Sequence, residues 1–109
     1  MSKANLPAIQ FYPGDWKKDP GIQALTLEER GAWFELLLLM HESEERGKLV
    51  LNAKAYPLQS LALALGIPRQ RVKQILSKLL ATGVASVEQN TEIIFNRRML
   101  RDNDLRRIR

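Results

Sequence analysis

Residues 58–83 read LQSLALALGIPRQRVKQILSKLLATG and contain two apolar segments that are separated by a glycine. Apolar residues recur every three or four positions in each segment, which predicts helices over about 57–65 and 68–82. Gly66 is expected to end the first helix and Gly83 the second, because glycine adopts the left-handed conformation that closes helices. Pro68 suits the first turn of a helix. Two short helices joined by a tight glycine turn are typical of a helix-turn-helix.

The spacing of small and apolar residues within this unit strengthens the prediction. Ala62 lies four residues before Gly66, where the second helix crosses the first and a small side chain is needed. Val72 follows six residues after the glycine. Apolar residues at the interhelical positions complete the unit: Leu61, Leu65, Ile67, Val72 and Ile75. The same pattern also fits two packed helices that have no role in DNA binding.

The face of the second helix opposite Val72 is polar and basic. Glutamine pairs with the edge of adenine and lysine with the edge of guanine in the major groove. Arginines near the helix N-terminus suit phosphate groups, which the helix dipole also attracts. No carboxylate occurs within residues 57–87, so this segment does not repel DNA. The predicted DNA contacts on this helix are Arg69, Gln70, Arg71, Lys73, Gln74, Ser77 and Lys78.

A longer helix is predicted from the capping-box sequence Thr26-Leu27-Glu28-Glu29 to about Ser43. Residues 32–40 are apolar over most of the helix circumference, which indicates a central helix that is buried on several sides. Its apolar flank requires a cover. The N-terminal segment is one candidate and self-association with a second subunit is the other, and the sequence leaves both open.

Short β segments flank the helix pair. Residues 48–51 predict one strand, and residues 84–87 and 92–96 predict a hairpin around 89–91. The order helix, strand, helix, helix, hairpin is that of a winged helix. Glu88 and Glu92 lie at the flanks of this wing. Because carboxylates repel phosphates, we do not expect the wing to contact DNA.

The first 25 residues are rich in proline and aromatic residues and predict an ordered arm. Pro13-Gly14 suits the two central positions of a type II turn, and a short helical turn is expected near 19–25. The predicted structural role of the arm is to cover the central helix with three rings, those of Phe11, Tyr12 and Trp16. An aromatic site for a peptide or for base stacking is the functional alternative.

Charge is distributed unevenly along the chain. The 109 residues, 45% of them hydrophobic, carry a formal net charge of +5. Residues 57–87 and 97–109 each carry a net charge of +4, whereas 1–56 and 88–96 are net negative. Such asymmetry favours an anionic partner such as nucleic acid, although a solvated face and a solubilising tail would look similar. The predicted phosphate ligands after the hairpin are Arg97, Arg98 and Arg101.

The run FYPGDW at residues 11–16, followed by Asp19-Pro20 and by LTLEERGAWFELL at 25–37, closely resembles the start of the YdaU-like family of bacterial and prophage proteins. That family is described as a domain of unknown function. The resemblance extends over nearly the whole chain, through residues 40–43, 58–82 and 97–99. The family is similar to the N-terminal domains of phage replisome organisers, which are winged-helix modules that bind replication origins. Since family members are often longer, we expect a short member, a truncated prophage product or an expressed domain.

Several classes of protein are disfavoured. The chain has no cysteine, one histidine and no glycine-rich phosphate loop, so we expect no enzyme, no metal site and no cofactor. His41 and the acidic residues at 42–45 are interpreted as structural and solvated groups, respectively. No apolar run is long enough for a membrane span or a signal peptide, which predicts a cytoplasmic protein.

The prediction as a whole is a mainly α fold with a small β-hairpin. A winged helix-turn-helix domain is expected over 1–96, comprising the arm at 1–25, the helix-turn-helix at 57–82 and the wing at 84–96. An arginine-rich helix or linker follows at 97–109. The predicted function is binding of double-stranded DNA in phage or prophage replication initiation, with replication proteins engaged through regions outside this chain. A transcriptional regulator and a winged helix that serves only protein–protein contact are the alternatives.

Overall fold

The computed structural model describes residues 8–108, with side chains over residues 8–104. This part of the chain is mainly helical and contains two small antiparallel strand pairs. Residues 1–7 of the predicted arm and residue 109 lie outside the described range. The helices are α1 Pro13–Lys18, α2 Pro20–Gln23, α3 Leu27–His41, α4 Leu58–Leu65, α5 Arg69–Ala81 and α6 Arg97–Ile108. The strands are β1 Val50–Leu51, β2 Lys54–Ala55, β3 Ser86–Val87 and β4 Ile94–Phe95.

Helix α3 begins with the predicted capping box. The Thr26 hydroxyl accepts from the Glu29 amide at 3.2 Å, and the Glu29 carboxylate accepts from the Thr26 amide at 2.7 Å. The helix ends at His41, two residues before the predicted end. Its burial is uneven, because Trp33 and Leu36 lie in the core whereas Leu38 is exposed. The predicted burial on several sides therefore fails at Leu38.

Helices α4 and α5 pack against each other, with Leu61, Val72 and Ile75 buried as predicted and Leu65 and Ile67 only partly buried. Gly66 has a φ of +71°, and its amide donates to the Ala62 carbonyl at 2.9 Å. Pro68 is the N-cap of α5, so the helix begins one residue later than predicted, and it ends at Ala81. The buried residues of the pair are Leu61, Ala62, Val72, Ile75 and Leu79. The helix pair and its glycine turn are confirmed.

The strand pairs are short. Strands β3 and β4 form the predicted hairpin, with Ser86 opposite Phe95, although each strand has only two residues. The chain just before β1 joins this hairpin, because Lys48 forms an isolated bridge with Phe95 and the Leu49 amide donates to the Ile94 carbonyl at 2.8 Å. This contact places the segment 48–49 beside β4.

A second hairpin, β1–β2, was not predicted. Asn52 and Ala53 form its tight turn with φ values of 54° and 64°, which are left-handed for both residues. Alanine rarely adopts this conformation and therefore gives no turn signal in the sequence. The predicted strand at 48–51 accordingly continues into a hairpin rather than ending at Asn52.

The prediction of a type II turn at Pro13-Gly14 is wrong. These two residues open α1, and Gly14 does not have a positive φ. Proline is preorganised for the first position of a helix as well as for a turn, so the dipeptide fits both structures. The predicted helical turn near 19–25 is confirmed as α2, which Asp19 caps by accepting from the Gly21 and Ile22 amides.

Helix α6 is anchored to the rest of the fold at its start. Its Met99 is buried in the core, and the Asn96 side chain accepts from the Met99 amide at 2.7 Å. Leu100 lies against Gly47, whose carbonyl accepts from the Asn96 amide at 2.9 Å. No helix in residues 8–108 is long and apolar enough to cross a membrane.

Candidate nucleic-acid interface

Helix α5 presents a continuous polar surface to solvent. The buried residues Val72, Ile75 and Leu79 fix one face of the helix against the core. A helix repeats every 3.6 residues, so positions on the opposite side of the helix from these three point outward. Five of the seven predicted DNA contacts on this helix are exposed: Arg69, Gln70, Lys73, Gln74 and Ser77. The structure thus brings these five side chains to one accessible surface.

Arg71 is half-buried and is bound to α3. Its Nε donates to Oε1 of Glu28 at 3.0 Å, and its Nη2 contacts the same oxygen. Its Nη1 donates to Oε1 of Gln74 at 3.0 Å. Arg71 therefore links the start of α3 to the polar face of α5, and a phosphate would have to share it with Glu28.

Lys78 also lies beside an acid. Its Nζ is 4.0 Å from Oε1 of Glu29, and the residue is half-buried. Lys78 and Arg71 are therefore placed less freely than the five exposed residues. Neither pairing could be predicted from sequence, because the partners are more than 40 positions apart along the chain.

The pKa of Glu28 depends on its contact with Arg71. The hydrogen bond from Arg71 lowers the pKa of the Glu28 carboxyl, and the same bond raises the pKa of Arg71. A carboxyl whose pKa is lowered by folding contributes stability above its unfolded pKa of about 4.3, and this contribution is lost as the pH falls through the folded value.

We expect Arg71→Ala to raise the pKa of Glu28 toward its ordinary value, because the substitution removes the hydrogen bond. Nuclear magnetic resonance titration of the side-chain carboxyl carbon measures this shift. Lys73→Ala is the matched control, because it removes a charge from α5 without touching the ion pair. An unchanged Glu28 pKa in Arg71→Ala would contradict the assigned contact.

The C-terminal arginines Arg97, Arg98 and Arg101 are exposed, but one of them is engaged by the arm. Nη2 of Arg98 lies 2.8 Å from Oδ2 of Asp15, and the guanidinium lies 4.8 Å from the centroid of the Tyr12 ring. Such a cation–π contact with an exposed ring contributes about 0.5–1 kcal/mol. Arg98 therefore joins α6 to α1 and to the residue that precedes α1.

The other two rings of the arm contact α3. The Phe11 and Trp16 ring centroids lie 5.7 and 6.2 Å from that of Phe34, with the rings edge-on, and 5.5 Å from each other. Phe11 and Tyr12 nevertheless remain 45% exposed. The three rings of the arm therefore have different neighbours. Phe11 and Trp16 lie against α3, whereas Tyr12 lies against Arg98 of α6.

The arginines of α6 lie toward the C-terminal end of α5, whereas Arg69 begins that helix. Arg69 is the first residue of the helix, and twelve residues at 1.5 Å each place its last residue about 18 Å away. Gly83, just beyond that end, lines the same cleft as Arg97, Arg98 and Arg101. The cleft that contains the α6 arginines therefore lies at the end of α5 away from Arg69, although Ser77 and Lys78 are closer to it.

Glu88 fixes the loop between β3 and β4 through two contacts. Nζ of Lys48 lies 2.8 Å from Oε2 of Glu88, and the Thr91 hydroxyl donates to Oε1 of Glu88 at 2.7 Å. The hydrogen bond from Lys48 lowers the pKa of Glu88 and raises that of Lys48. The charge of Glu88 is thus balanced locally.

Within the part of the chain that the structure describes, no cluster of three or more His, Cys, Asp or Glu side chains could hold a metal ion. His41 is half-buried at the end of α3.

No family model, no curated protein and no solved structure matches the chain.

Proposed function

We propose that the chain is a double-stranded DNA-binding module in which α5 enters the major groove. One observation carries the proposal: the second helix of a glycine-turn helix pair buries Val72 and Ile75 and exposes Gln70, Lys73 and Gln74 on the opposite side. Glutamine and lysine are residues that pair with base edges. Arg69 and Arg71 lie in the first turn, where phosphate contacts are expected.

A winged-helix arrangement accommodates the observed connectivity. Helix α3 leads into residues 48–49, which pair with β4, and the pair α4–α5 comes between them in the chain. The hairpin β3–β4 follows α5 directly, as a wing does. We therefore propose that β3–β4 is the wing and that its loop does not hold DNA, because the loop exposes the carboxylate of Glu92 beside that of Glu88.

The ion pair between Arg71 and Glu28 has a defined place in this proposal. Glu28 holds the Arg71 guanidinium beside Gln74, and the Arg71 Nη1 donor occupies the Gln74 oxygen. The amide nitrogen of Gln74 is thereby directed away from Arg71. Docking on DNA would leave Gln74 to donate to an acceptor on a base edge.

The resemblance to the YdaU-like family supports a narrower role. Together with the helix pair, it suggests a phage or prophage protein of replication initiation that acts in the cytoplasm. Replication proteins would then be engaged through regions outside this chain. A transcriptional regulator is the alternative within DNA binding, and it would bind palindromic half-sites about one helical turn apart as a dimer.

A second candidate function is protein–protein contact without DNA. The observation that favours it is the exposure of apolar residues on the two helices that precede α5. Leu63 of α4 is 75% exposed, and Leu38 of α3 is exposed as well. Single exposed leucines are common on soluble proteins, so this observation is weaker than the polar face of α5.

The proposal is tested with DNA duplexes enriched from a random pool by the purified protein. Fluorescence anisotropy should show specific binding that weakens with salt, with a log–log slope of about −3 if the side chains of Arg69, Arg71 and Lys78 contact phosphates. Lys73→Ala/Gln74→Ala should reduce affinity for the enriched duplex by about tenfold or more, because each base contact contributes about 1–3 kcal/mol. Palindromic enriched sequences would favour the regulator.

Lys54→Ala serves as the control for charge, since Lys54 is an exposed lysine on β2. It should leave the affinity for the enriched duplex nearly unchanged. No binding by the wild type at low salt would exclude DNA binding. If the double variant binds the enriched and the random duplexes as the wild type does, α5 is not the recognition helix.

A further inference from the structure

A cleft of about 440 Å³ lies between the aromatic arm, α3 and the start of α6. Its walls differ in chemistry. Rings from the arm and from Phe34 line one part, and arginines of α6 line another. Clefts of about 300–1,000 Å³ are of the size that holds small ligands. This cleft is therefore large enough for a single nucleotide unit.

The aromatic wall offers open ring surface. Phe11 and Tyr12 each retain 45% exposure although both lie at the cleft. Phe11 is held edge-on by Phe34, and Tyr12 carries the Arg98 guanidinium on its ring. Both rings are thus fixed in place by neighbours while part of their surface faces the cleft. Fixed and exposed rings suit the stacking of an unpaired base.

The charged groups of the cleft favour an anion. Asp15 is paired with Arg98, and Asp19 accepts from the two amides that begin α2. Arg97 and Arg101 are exposed on α6 and line the same cleft. Asp102 lines it as well. Arg46 lines the cleft too, so four arginines face three aspartates and the formal net charge of the cleft is +1.

We propose that this cleft binds single-stranded nucleic acid, with one base stacked on Tyr12, on the ring face opposite Arg98, and the adjoining phosphates on Arg97 and Arg101. This site goes beyond the proposed function, because it lies at the end of α5 away from Arg69 and takes a different form of nucleic acid. A base within a duplex has both faces covered by its neighbours and cannot stack on a protein ring without leaving the helix. The cleft therefore selects unpaired strands.

The test measures fluorescence anisotropy of a fluorescein-labelled dT10 oligonucleotide at low salt. Tyr12→Ala should weaken binding by about tenfold, because stacking on an aromatic side chain accounts for a change of this order per base. Tyr12→Phe retains the ring and should bind as the wild type does. Circular dichroism of both variants checks that the fold is unchanged, which is expected for an exposed residue.

Two further comparisons separate stacking from simple charge attraction. A ten-unit abasic oligonucleotide carries the same phosphates without bases and should bind about tenfold more weakly than dT10. Arg97→Ala/Arg101→Ala should weaken dT10 binding, whereas Arg69→Ala, which removes an exposed arginine at the far end of α5, should have a much smaller effect. A labelled U10 measured in parallel shows whether DNA or RNA binds more tightly.

Failure of this proposal can be distinguished from failure of duplex recognition. Lys73→Ala/Gln74→Ala should leave dT10 binding intact, and Tyr12→Ala should leave duplex binding intact. Equal affinity of the wild type for dT10 and the abasic oligonucleotide would overturn the stacking site. Unchanged dT10 binding in Tyr12→Ala, or its loss in the α5 variant, would also overturn it.

Discussion

Leu36→Ala should lower the free energy of unfolding by about 2–5 kcal/mol. Leu36 is completely buried in the middle of α3, within the core that also contains Trp33 and Met40. Truncation at such a site removes apolar contacts and leaves a cavity that the surrounding side chains fill only in part. Urea denaturation followed by circular dichroism measures the change from the midpoint and slope of the transition.

Leu38→Ala is the matched control, because it makes the same substitution two residues later in the same helix. Leu38 is 38% exposed, so far less apolar surface returns to water on truncation. We expect it to cost less than about 1 kcal/mol. Equal losses for the two variants would show that α3 does not bury the face that contains Leu36.

Gly47→Ala should lower the free energy of unfolding by about 3 kcal/mol, from backbone strain and overpacking together. Gly47 has a φ of +98°, which residues with a side chain rarely adopt, and an added Cβ would lie 2.7 Å from Cδ2 of Leu100 and 3.2 Å from the Leu100 backbone nitrogen. The residue also joins two helices, because its amide donates to the Met40 carbonyl and its carbonyl accepts from the Asn96 amide. The chain cannot shift there without disturbing one of these bonds.

Two other glycines separate the contributions to this loss. Gly66→Ala meets no atom within 4 Å but retains the positive φ, so we expect a loss of about 1–2 kcal/mol. Gly14→Ala has neither the positive φ nor a close neighbour, and it should be neutral or slightly stabilising. Thermal and urea denaturation of the three variants should give this order. A Gly47→Ala variant as stable as Gly14→Ala would contradict the observed junction.

The helices of this fold were predictable because their signals are local. The capping box at Thr26 and the glycine at 66 act within one helical turn, and the apolar spacing of α5 reports its buried face directly. Strand β2 was missed because its turn uses Ala53 in a conformation that alanine seldom adopts. Pro13 was misread because proline suits both a turn and a helix start.

The candidate site was predictable only in part. The exposure of Gln70, Lys73 and Gln74 follows from helical periodicity, since Val72 and Ile75 fix the buried face. Helical periodicity does not predict that Arg71 pairs with Glu28 or Arg98 with Asp15, because these partners come from distant segments of the chain. Only the packing of whole elements brings such pairs together. A count of charges in the sequence therefore overstates the number of free cations.

The contact between Arg98 and Asp15 has a consequence for the order of folding. The two residues are 83 positions apart, so their contact closes a loop that includes most of the chain. Closing a long loop lowers the conformational entropy of the chain, and the contact stabilises the fold only after this loss has been offset. The contacts of α4 with α5 join residues that are close in the chain, so the entropic cost of forming them is smaller. We therefore expect the helix pair to form early and the arm to dock on α6 in a late step.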